Sequence, residues 1–357
     1  MELLSVTMND GVKPRSEIEG KDNSSEDKSN YKIVRKGDMV YNSMRMWQGA
    51  NGISPCDGIV SPAYTVLMPK QEINNGYFAA LFKSANLINE FRKNSQGMTS
   101  DTWNLKYPQI ETIKIQIPSV SEQDKVSELF GVLDARIVAQ AQLVESLKKY
   151  KRGVVRTLLS PKHCSIKNVK WTTSRIGDIG TFIKGAPLSK ADISLEGAPF
   201  ILYGELYTTY SEVISNVVRK TQASVDKQYY SQIGDVIIPT SGETPEEIST
   251  ASCVMLPDII LAGDLNIYRC TQVDGRIMSY ILNHVVNDRI ARVAQGKSIV
   301  HVQAAELSKI EITYPDQVSQ KKIIATLAAL TKRIEHSIRE LELAQDQRNA
   351  LLQRLFI

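Results

Sequence analysis

The feature that most constrains this chain is an internal repeat. Three short motifs recur in the same order: Lys36–Val40 with Ile233–Ile237 and Ile113–Pro118 with Ile310–Pro315, both 197 residues apart, and Gln96-Gly97 with Gln295-Gly296, 199 residues apart. Each Gly-Asp pair predicts a turn that leads into an apolar strand. Each alternating Ile-x-Ile run predicts a strand that a proline stops before a helix. The sequence therefore predicts two copies of one mixed α/β unit.

A long stretch without proline follows each copy, and its hydrophobic pattern repeats as well. Apolar residues fall at the 4-3 spacing of a coiled-coil seam in both stretches. The predicted seam positions are Val126, Phe130, Leu133, Ile137, Val144 and Leu147 in the first stretch, and Ile323, Leu327, Leu330, Ile334, Leu341 and Leu351 in the second. A helix of about 38 residues extends about 57 Å, too long for the core of one small domain. We therefore expect the two helices to pack on each other.

Polar residues interrupt both seams at equivalent positions, Gln140 with Ser337 and Lys151 with Arg348. Polar seam residues cost stability but can fix the register of a coiled coil. The alternative, in which each amphipathic helix packs into a separate globular core, stays open at this point.

The predicted fold is α+β, with two mixed α/β domains separated by two long helices that form an antiparallel coiled coil. The predicted segments are 1–117 for the first α/β domain, 118–160 for the first helix, 161–317 for the second α/β domain and 318–357 for the second helix. The polar stretch Pro14–Asn30 is expected to be a surface loop, and Ser160–Lys170 a short linker.

Composition narrows the class of protein. The four cysteines lie far apart without a CxxC pair, which argues against a zinc ribbon or a disulfide scaffold and favours reduced thiols in a cytoplasmic protein. Residues 1–20 lack the apolar core of a signal peptide, and no run of about 18 apolar residues predicts a membrane span. The net charge of +4 is too small to identify a nucleic-acid binder by itself.

Several motifs carry a resemblance to a known family. They are Gly37–Arg45 with Gly58–Tyr64, then Ile117-Pro118 with Ser121–Gln123 and Leu133-Asp134, then Trp171 with Ile176–Ile179, Lys184-Gly185 and Ser189-Lys190. The layout and these motifs resemble the specificity (S) subunit of type I restriction-modification systems over essentially the whole chain. The α/β domains would then be target-recognition domains, each reading one half of a bipartite DNA site, and the helices would be spacers that set the gap.

The resemblance also implies the partners. The chain would be a non-catalytic, cytoplasmic subunit that binds double-stranded DNA and docks two methyltransferase (M) subunits. Two restriction (R) subunits would join in the restriction complex. S-adenosylmethionine, ATP and Mg are expected in the partner subunits and no cofactor in this chain.

One departure from the family pattern concerns the start of the chain. The opening element of the second domain, Trp171 to about Pro199, has no counterpart in the first domain, because subtracting the repeat offset from 171 leads about 26 residues before Met1. The first target-recognition domain is therefore predicted to be N-terminally shortened.

Motifs for catalysis are missing from the sequence. There is neither an (Asp/Asn)-Pro-Pro-(Tyr/Phe) motif for base methylation nor a Gly-x-x-x-x-Gly-Lys-(Ser/Thr) loop for ATP hydrolysis. The four histidines show no metal-ligand spacing, so no metal site is predicted. Two alternatives remain: a coiled-coil adaptor that binds proteins rather than DNA, and a nuclease built on Pro257-Asp258 with Gln295–Lys297.

DNA contacts require polar and basic side chains on loops, where phosphate contacts give affinity and base contacts give specificity. The candidates are Arg45, Gln96, Thr99, Ser100, Lys184, Lys190, Thr240, Ser241, Arg292, Gln295, Lys297, Ser298 and His301. For Arg45 the alternative is a surface salt bridge, and for the two Gln-Gly loops it is a plain turn between strands. Three tyrosines, Tyr203, Tyr207 and Tyr210, are expected to pack in the core or loops rather than stack on bases.

The charge excess lies in the helical segments, which carry +5 against −1 for the two α/β domains. Lys148, Lys149, Lys151, Arg152 and Arg156 cluster near the end of the first helix. This cluster predicts either a helix tip beside DNA or a partner, or a solvated basic end favoured by the helix dipole.

Overall fold

The computed structural model describes residues 1–8, 11–22, 24–294 and 300–356. The chain divides into two compact units. Unit 1 comprises Met1–Leu143 and Ser337–Ile357, and unit 2 comprises Val144–His336. Two 39-residue helices, α4 (Val120–Leu158) and α10 (Gln317–Leu355), each contribute residues to both units. None of the described helices is long and apolar enough to cross a membrane.

Unit 1 contains two sheets and three short helices before α4. Its elements are β1 (Glu2–Thr7), β2 (Gly11–Pro14), β3 (Lys32–Val34), β4 (Met39–Asn42), β5 (Asn51–Ile53), β6 (Gly58–Val60), β7 (Tyr64–Leu67), α1 (Asn75–Leu81), α2 (Ala85–Asn94), α3 (Tyr107–Ile110) and α4 (Val120–Leu158). The strand orders are β2-β1-β6-β3 and β5-β4-β7.

Unit 2 contains counterparts of the two sheets of unit 1 and two additional two-stranded sheets. Its elements are β8 (Trp171–Arg175), β9 (Gly180–Lys184), β10 (Ala198–Leu202), α5 (Glu205–Thr208), β11 (Val213–Ile214), β12 (Arg219–Thr221), β13 (Asp235–Pro239), β14 (Ser241–Gly242), α6 (Pro245–Ile248), β15 (Ser252–Val254), β16 (Ile260–Ala262), β17 (Leu265–Cys270), α7 (Gly275–His284), α8 (Asn287–Val293), β18 (Val300–His301), α9 (Ala304–Ser308), β19 (Glu311–Pro315) and α10 (Gln317–Leu355). The strand orders are β12-β10-β16, β11-β15-β13-β17-β9, β14-β18 and β19-β8.

The repeat is visible in the strand register. In unit 1, Val40 of β4 lies opposite Gly52 and Val66 of its two neighbours. In unit 2, Ile237, the repeat equivalent of Val40, lies opposite Ser252 and Ile267. The same three-stranded antiparallel unit is therefore built twice.

The repeated Gly-Asp pair works the same way in both units. Gly37 and Gly234 have φ values of +91° and +96°, a left-handed conformation that glycine adopts without strain. The carboxylate of Asp38 accepts a hydrogen bond from the backbone N–H of Arg35 at 2.8 Å, and that of Asp235 accepts one from Gln232 at 2.8 Å. Each aspartate thereby closes the turn that leads into the central strand.

A repeated glutamine fixes the start of each long helix. In unit 1, Gln123 donates to the carbonyl oxygen of Pro118 at 2.9 Å and accepts from the backbone N–H of Asn74 at 3.0 Å. In unit 2, Gln320 makes the same two bonds, to Pro315 and from Asp274, both at 2.8 Å. A glutamine placed five residues after the proline thus anchors the start of each helix to the α/β domain before it.

The two long helices run antiparallel where they pair in unit 1. Asp134 pairs with Arg348 and Gln140 with Ser337, so partner numbers fall as residue numbers rise. In unit 2, Val155 shares a hydrophobic cluster with Ile323 and Leu327. The twelve predicted seam residues are all buried or half-buried. The separate-core alternative is therefore wrong, since the seam residues of both helices share these contacts.

One of the predicted strands is wrong. The alternating run Ile113–Ile117 forms no strand, whereas its repeat equivalent forms β19. The physical reason is the partner strand. β19 pairs along its whole length with β8, and unit 1 contains no described strand equivalent to β8. The alternating pattern predicted a strand, but no described strand of unit 1 is in place to form hydrogen bonds with it.

Candidate nucleic-acid interface

Two loops of unit 1 meet beside the end of β4, and we name them the first loop pair, residues 43–49 and 95–104. The backbone N–H of Leu105, at the end of the second loop, donates to the carbonyl oxygen of Ser43 at 2.8 Å. The rings of Trp47 and Trp103 pack edge to face with centroids 5.1 Å apart. These contacts bring the loop of Arg45 against the loop of Gln96, although 51 positions separate the two residues in the sequence.

The second loop of this pair is held in a defined shape. Gln96 and Asn104 exchange two backbone hydrogen bonds of 3.0 and 2.8 Å. Thr99 and Thr102 form a reciprocal cap, and Gly97 has a φ of +150° with Thr102 backbone atoms 2.7 Å from where a Cβ would stand. Gln96, Thr99 and Ser100 are all exposed on this frame. The plain-turn alternative describes the backbone correctly, yet the turn presents exposed polar groups suited to DNA contact.

Arg45 is half-buried in the first loop, with its backbone N–H bonded to Asn42 and its carbonyl accepting from Gln48 and Ala50. Its guanidinium forms no ion pair or hydrogen bond with any described residue. The salt-bridge alternative for Arg45 therefore has no support within the described ranges, and the group stays available to an anionic partner.

The tryptophan pair was not predicted from the sequence. Arg92 of α2 lies over Trp47, with its guanidinium carbon 5.7 Å from the ring centroid. Trp47 Nε1 and Asn104 Oδ1 are buried without a hydrogen-bond partner among the described residues. The only available signal was that two of the three tryptophans in the chain fall in these loops, which says nothing about their contact.

Unit 2 holds an equivalent second loop pair, residues 240–244 and the described ends of 294–302. The backbone N–H of Val302 donates to the carbonyl oxygen of Thr240 at 3.0 Å, the repeat equivalent of the Leu105–Ser43 bond. Ser241 lies opposite His301 in the short β14–β18 ladder. His301 is exposed and Thr240 is half-buried.

Ser241 supports its loop from within. The residue is buried, and its hydroxyl donates to Asp264 Oδ2 at 2.8 Å. The hydroxyl of Tyr207 donates to the Ser241 carbonyl at 2.7 Å, and burial raises the pKa of this tyrosine above its usual value. A base contact by the Ser241 side chain would have to replace the bond to Asp264.

The remaining predicted DNA-binding residues differ in position. Lys184 is exposed at the end of β9, opposite Asn266. The next residue, Gly185, donates to the carbonyl oxygen of Leu265. The end of β9 therefore lies near Asp264, which supports the second loop pair. Lys190 is exposed in a short turn, and Arg292 is exposed in the last turn of α8. No hydrogen bond among the described residues joins these two to the loops. Gln295, Lys297 and Ser298 lie outside the described residues.

The tyrosines behave as the sequence predicted. Tyr203, Tyr207 and Tyr210 pack against the cluster that contains Leu206 and Ile214. Tyr210 Oη accepts a hydrogen bond from the backbone N–H of Val218 at 3.1 Å. These rings are committed to the interior of unit 2.

A buried ion-pair network in unit 2 corrects the prediction of one exposed basic cluster at the end of α4. Lys151 is only 8% exposed and donates to Glu212 Oε2 at 2.9 Å, while His284 Nε2 donates to Glu212 Oε1 at 2.7 Å. Burial alone would raise the pKa of Glu212, but the His284 hydrogen bond and the Lys151 charge outweigh it and lower the pKa to about 2. Lys151 therefore fastens the last turns of α4 to the α/β domain of unit 2, whereas Lys148 pairs with Glu145 on the surface.

The described residues contain no group of three or more His, Cys, Asp or Glu side chains placed to hold a metal ion. Buried acidic groups have structural partners instead. Asp235, for example, is buried and bonded to the guanidinium of Arg269 at 3.1 Å.

Comparisons with known proteins agree on one family. The sequence profile of the family described as "Type I restriction modification DNA specificity domain" matches twice, over residues 5–149 and 168–343. The type I restriction enzyme MjaVIII specificity subunit of Methanocaldococcus jannaschii is 23% identical over 354 residues, covering 90% of this chain and 79% of that relative.

Solved structures share the fold at low identity. One, described as the structural basis underlying complex assembly and conformational transition of the type I R-M system, matches with a TM-score of 0.62 and 16% identity, covering 93% of this chain and 84% of that one. The S subunit of a type I restriction-modification system from M. genitalium matches with a TM-score of 0.56 and 15% identity, covering 91% and 84%.

Proposed function

We propose that this chain, which belongs to the family of type I restriction-modification DNA specificity domains, reads a DNA sequence in two halves, one with each loop pair. As a specificity subunit it recognises DNA sequence. The bipartite site, the assignment of one half to each unit and the contacts to partner subunits are the parts that we propose.

The observation that carries the proposal is a shared frame with different side chains. Each loop pair is held together by an equivalent backbone hydrogen bond, Leu105 to Ser43 in the first pair and Val302 to Thr240 in the second. The polar groups on the two frames differ, with the half-buried Arg45 and the exposed Gln96 on the first and the exposed His301 on the second. A protein that recognises two different half-sites needs a shared loop backbone with different side chains, because contacts from side chains to bases specify the sequence, whereas the backbone only positions those side chains.

The long helices would set the spacing between the half-sites. Helix length converts to distance at about 1.5 Å per residue, and base pairs are stacked at about 3.4 Å. The buried seam and the Gln140–Ser337 bond support a rigid spacer, because they fix the register of the two helices.

The outer faces of the helices suit protein partners. Several large apolar side chains on α4 are exposed although the seam is buried, among them Val132 at 63%, Val138 at 55% and Tyr150 at 61%. Leu343 on α10 is 60% exposed. Exposed apolar residues of this kind favour protein contact, and we assign the surface to two methyltransferase subunits.

The catalytic chemistry would then belong to the partners. Methyl transfer needs S-adenosylmethionine, and restriction by two further subunits needs ATP and Mg, for which this chain has no recognised motif. The proposed complex works on double-stranded DNA in the cytoplasm, with this chain as its non-catalytic reader.

The test is methylome sequencing of a host that carries the chain with its cognate methyltransferase subunits. Replacing Gln96, Thr99 and Ser100 together by alanine should alter one half of the methylated motif and leave the other half and the gap unchanged. The matched control is Glu72→Ala, at an exposed position of unit 1 outside both loops, which should leave the motif intact. A motif that changes in both halves, or in neither, would overturn the assignment of one half-site to each loop pair.

Deleting four residues, about one turn, from 121–159 tests the spacer separately, and an unchanged gap would refute that part. A complex with partner subunits that lacks salt-sensitive DNA binding would favour the adaptor alternative instead.

A further inference from the structure

An exposed carboxylate lies beside the second loop pair. Asp264 occupies the turn between β16 and β17, and its side chain is exposed. Its backbone carbonyl oxygen accepts a hydrogen bond from the N–H of Thr240 at 2.8 Å, and its Oδ2 accepts one from the hydroxyl of Ser241 at 2.8 Å. The backbone and the side chain of Asp264 are therefore both bonded to the same loop.

Ser241, the donor to this carboxylate, is itself held in place by its neighbours. The hydroxyl of Tyr207 donates to the carbonyl oxygen of Ser241 at 2.7 Å. Ser241 also lies opposite His301 in the β14–β18 ladder. Because Ser241 is only 6% exposed, its hydroxyl remains directed at Asp264, whereas the carboxylate that it holds is open to solvent. The hydroxyl of Ser241 thus orients an exposed group on the neighbouring turn.

The Asp264 carboxylate keeps acceptor capacity for a partner. Among the residues that the structure describes, no cation pairs with it, and its side chain accepts one hydrogen bond, from Ser241. A carboxylate has about four acceptor positions, so Oδ1 in particular is available. On a surface that meets DNA, a negative charge is repelled by the phosphates and costs affinity. This cost is offset only where the carboxylate receives a hydrogen bond from the DNA, which makes such a group selective.

Unit 1 has the same backbone contact without the carboxylate. The strand ladders make Ala63 the repeat equivalent of Asp264, and the repeat offset makes Met44 the equivalent of Ser241. The N–H of Ser43 donates to the carbonyl oxygen of Ala63 at 3.2 Å, so the backbone bond is conserved between the two units. Neither Ala63 nor Met44 has a side chain that can form the second bond. The shared backbone therefore does not require the carboxylate, which is specific to the second loop pair.

We propose that Asp264 specifies a cytosine in the half-site of the second loop pair, by accepting a hydrogen bond from the N4 amino group of that base in the major groove. A carboxylate only accepts hydrogen bonds, and cytosine presents only a donor in that groove. Guanine and thymine present acceptors there, which a carboxylate repels, and adenine places its N7 acceptor beside its amino group. Ser241 is a positioning residue that holds the carboxylate. This inference rests on the proposed function.

The test is competition binding by the full chain with its cognate methyltransferase subunits. The competitors are DNA duplexes with the methylated motif of the unchanged protein, in which each base pair of the second half is replaced in turn. For the unchanged complex, replacing one cytosine should weaken binding by about tenfold or more. Asp264→Asn should remove most of this penalty, because a carboxamide also offers a donor to the acceptors of other bases. Ser241→Ala should reduce the same penalty, and Ser241→Thr, which keeps the hydroxyl, should restore it.

The matched control is Asp226→Asn, the same exchange at an exposed aspartate outside the second loop pair, which should change no base preference. The Tm of Asp264→Asn should match that of the unchanged protein, because the carboxamide oxygen still accepts from Ser241. An undiminished penalty in Asp264→Asn, a relaxed preference at an adenine, or a change in the first half of the motif would overturn the assignment. Failure of the proposed function is visible separately, because the unchanged chain would then direct no two-part methylated motif, and this inference would be refuted with it.

Discussion

The side-chain amide of Gln140 donates a hydrogen bond to the carbonyl oxygen of Ser337 at 3.0 Å, and the two residues are equivalents of each other in the repeat. The same amide lies 3.1 Å from Glu340 Oε2. When two equivalent helices pair antiparallel, equivalent positions meet only at the centre of their overlap. Gln140 and Ser337 therefore mark that centre, and a polar contact there specifies one register among several that an apolar seam would allow.

Gln140→Leu should raise the thermal stability of the helix pair while loosening its register. Leucine buries more apolar surface at the seam, which should raise the free energy of unfolding by on the order of 1 kcal/mol. The hydrogen bond to Ser337 that specifies the register is lost at the same time. Differential scanning calorimetry should show a higher Tm, and light scattering after gel filtration should show additional oligomeric species. The control Gln142→Leu, on the exposed face, should change neither. A lower Tm for Gln140→Leu would mean that the hydrogen bond outweighs apolar packing at this position.

Arg348 should matter more than its ion-pair partner Asp134. The Arg348 side chain is 17% exposed and lies over the Phe130 ring at 5.6 Å, whereas Asp134 is 52% exposed. Asp134→Ala should cost less than about 1 kcal/mol, as for other exposed pairs. Arg348→Ala should cost about 1–2 kcal/mol, because it also removes packing and cation–π contact. Chemical denaturation at low and high salt checks this: equal costs for the two variants would contradict it. Salt should shrink the ion-pair part of both costs and leave the packing and cation–π part of the Arg348→Ala cost.

Gly275→Ala should strongly destabilise unit 2. A Cβ there would stand 2.0 Å from the carbonyl oxygen of Gly234, a clash with backbone that cannot yield cheaply. The expected cost is about 3 kcal/mol, typical of severe overpacking. Gly131→Ala in α4 is the matched control, because nothing lies within 4 Å of its Cβ position, and it should stabilise the helix by up to about 1 kcal/mol. Thermal unfolding measures both, and an unchanged Tm for Gly275→Ala would refute the close approach.

The repeat predicted the architecture because duplication preserves local chemistry. The turns at Asp38 and Asp235, and the bonds of Gln123 to Pro118 and of Gln320 to Pro315, join residues close in sequence. The strand predicted at 113–117 is absent because a strand also needs a partner, and the partner of β19 is β8, about 140 residues earlier.

The candidate site was predictable only in part for the same reason. The loops at Arg45 and Gln96 carry recognisable polar motifs, yet their contact through Trp47 and Trp103 joins residues 56 positions apart. Similarly, Lys151 belongs by sequence to a basic cluster, and only the fold brings it to Glu212. No local pattern encodes such long-range pairs.

Glu212→Gln should remove an acid-sensitive contribution to the stability of unit 2. The pKa of Glu212 is lowered from 4.5 to about 2 in the folded protein. A carboxyl whose pKa falls on folding stabilises the native state above its unfolded pKa, and this stabilisation is lost as the pH drops from about 4.5 towards 2. At 1.36 kcal/mol per pH unit, the contribution at pH 7 is about 3 kcal/mol. Unfolding of the two proteins should therefore differ most at neutral pH and converge near pH 2, whereas Glu196→Gln, at an exposed position, should match the unchanged protein throughout. A constant difference between pH 7 and pH 3 would show that the ionised carboxylate is not what Lys151 and His284 stabilise.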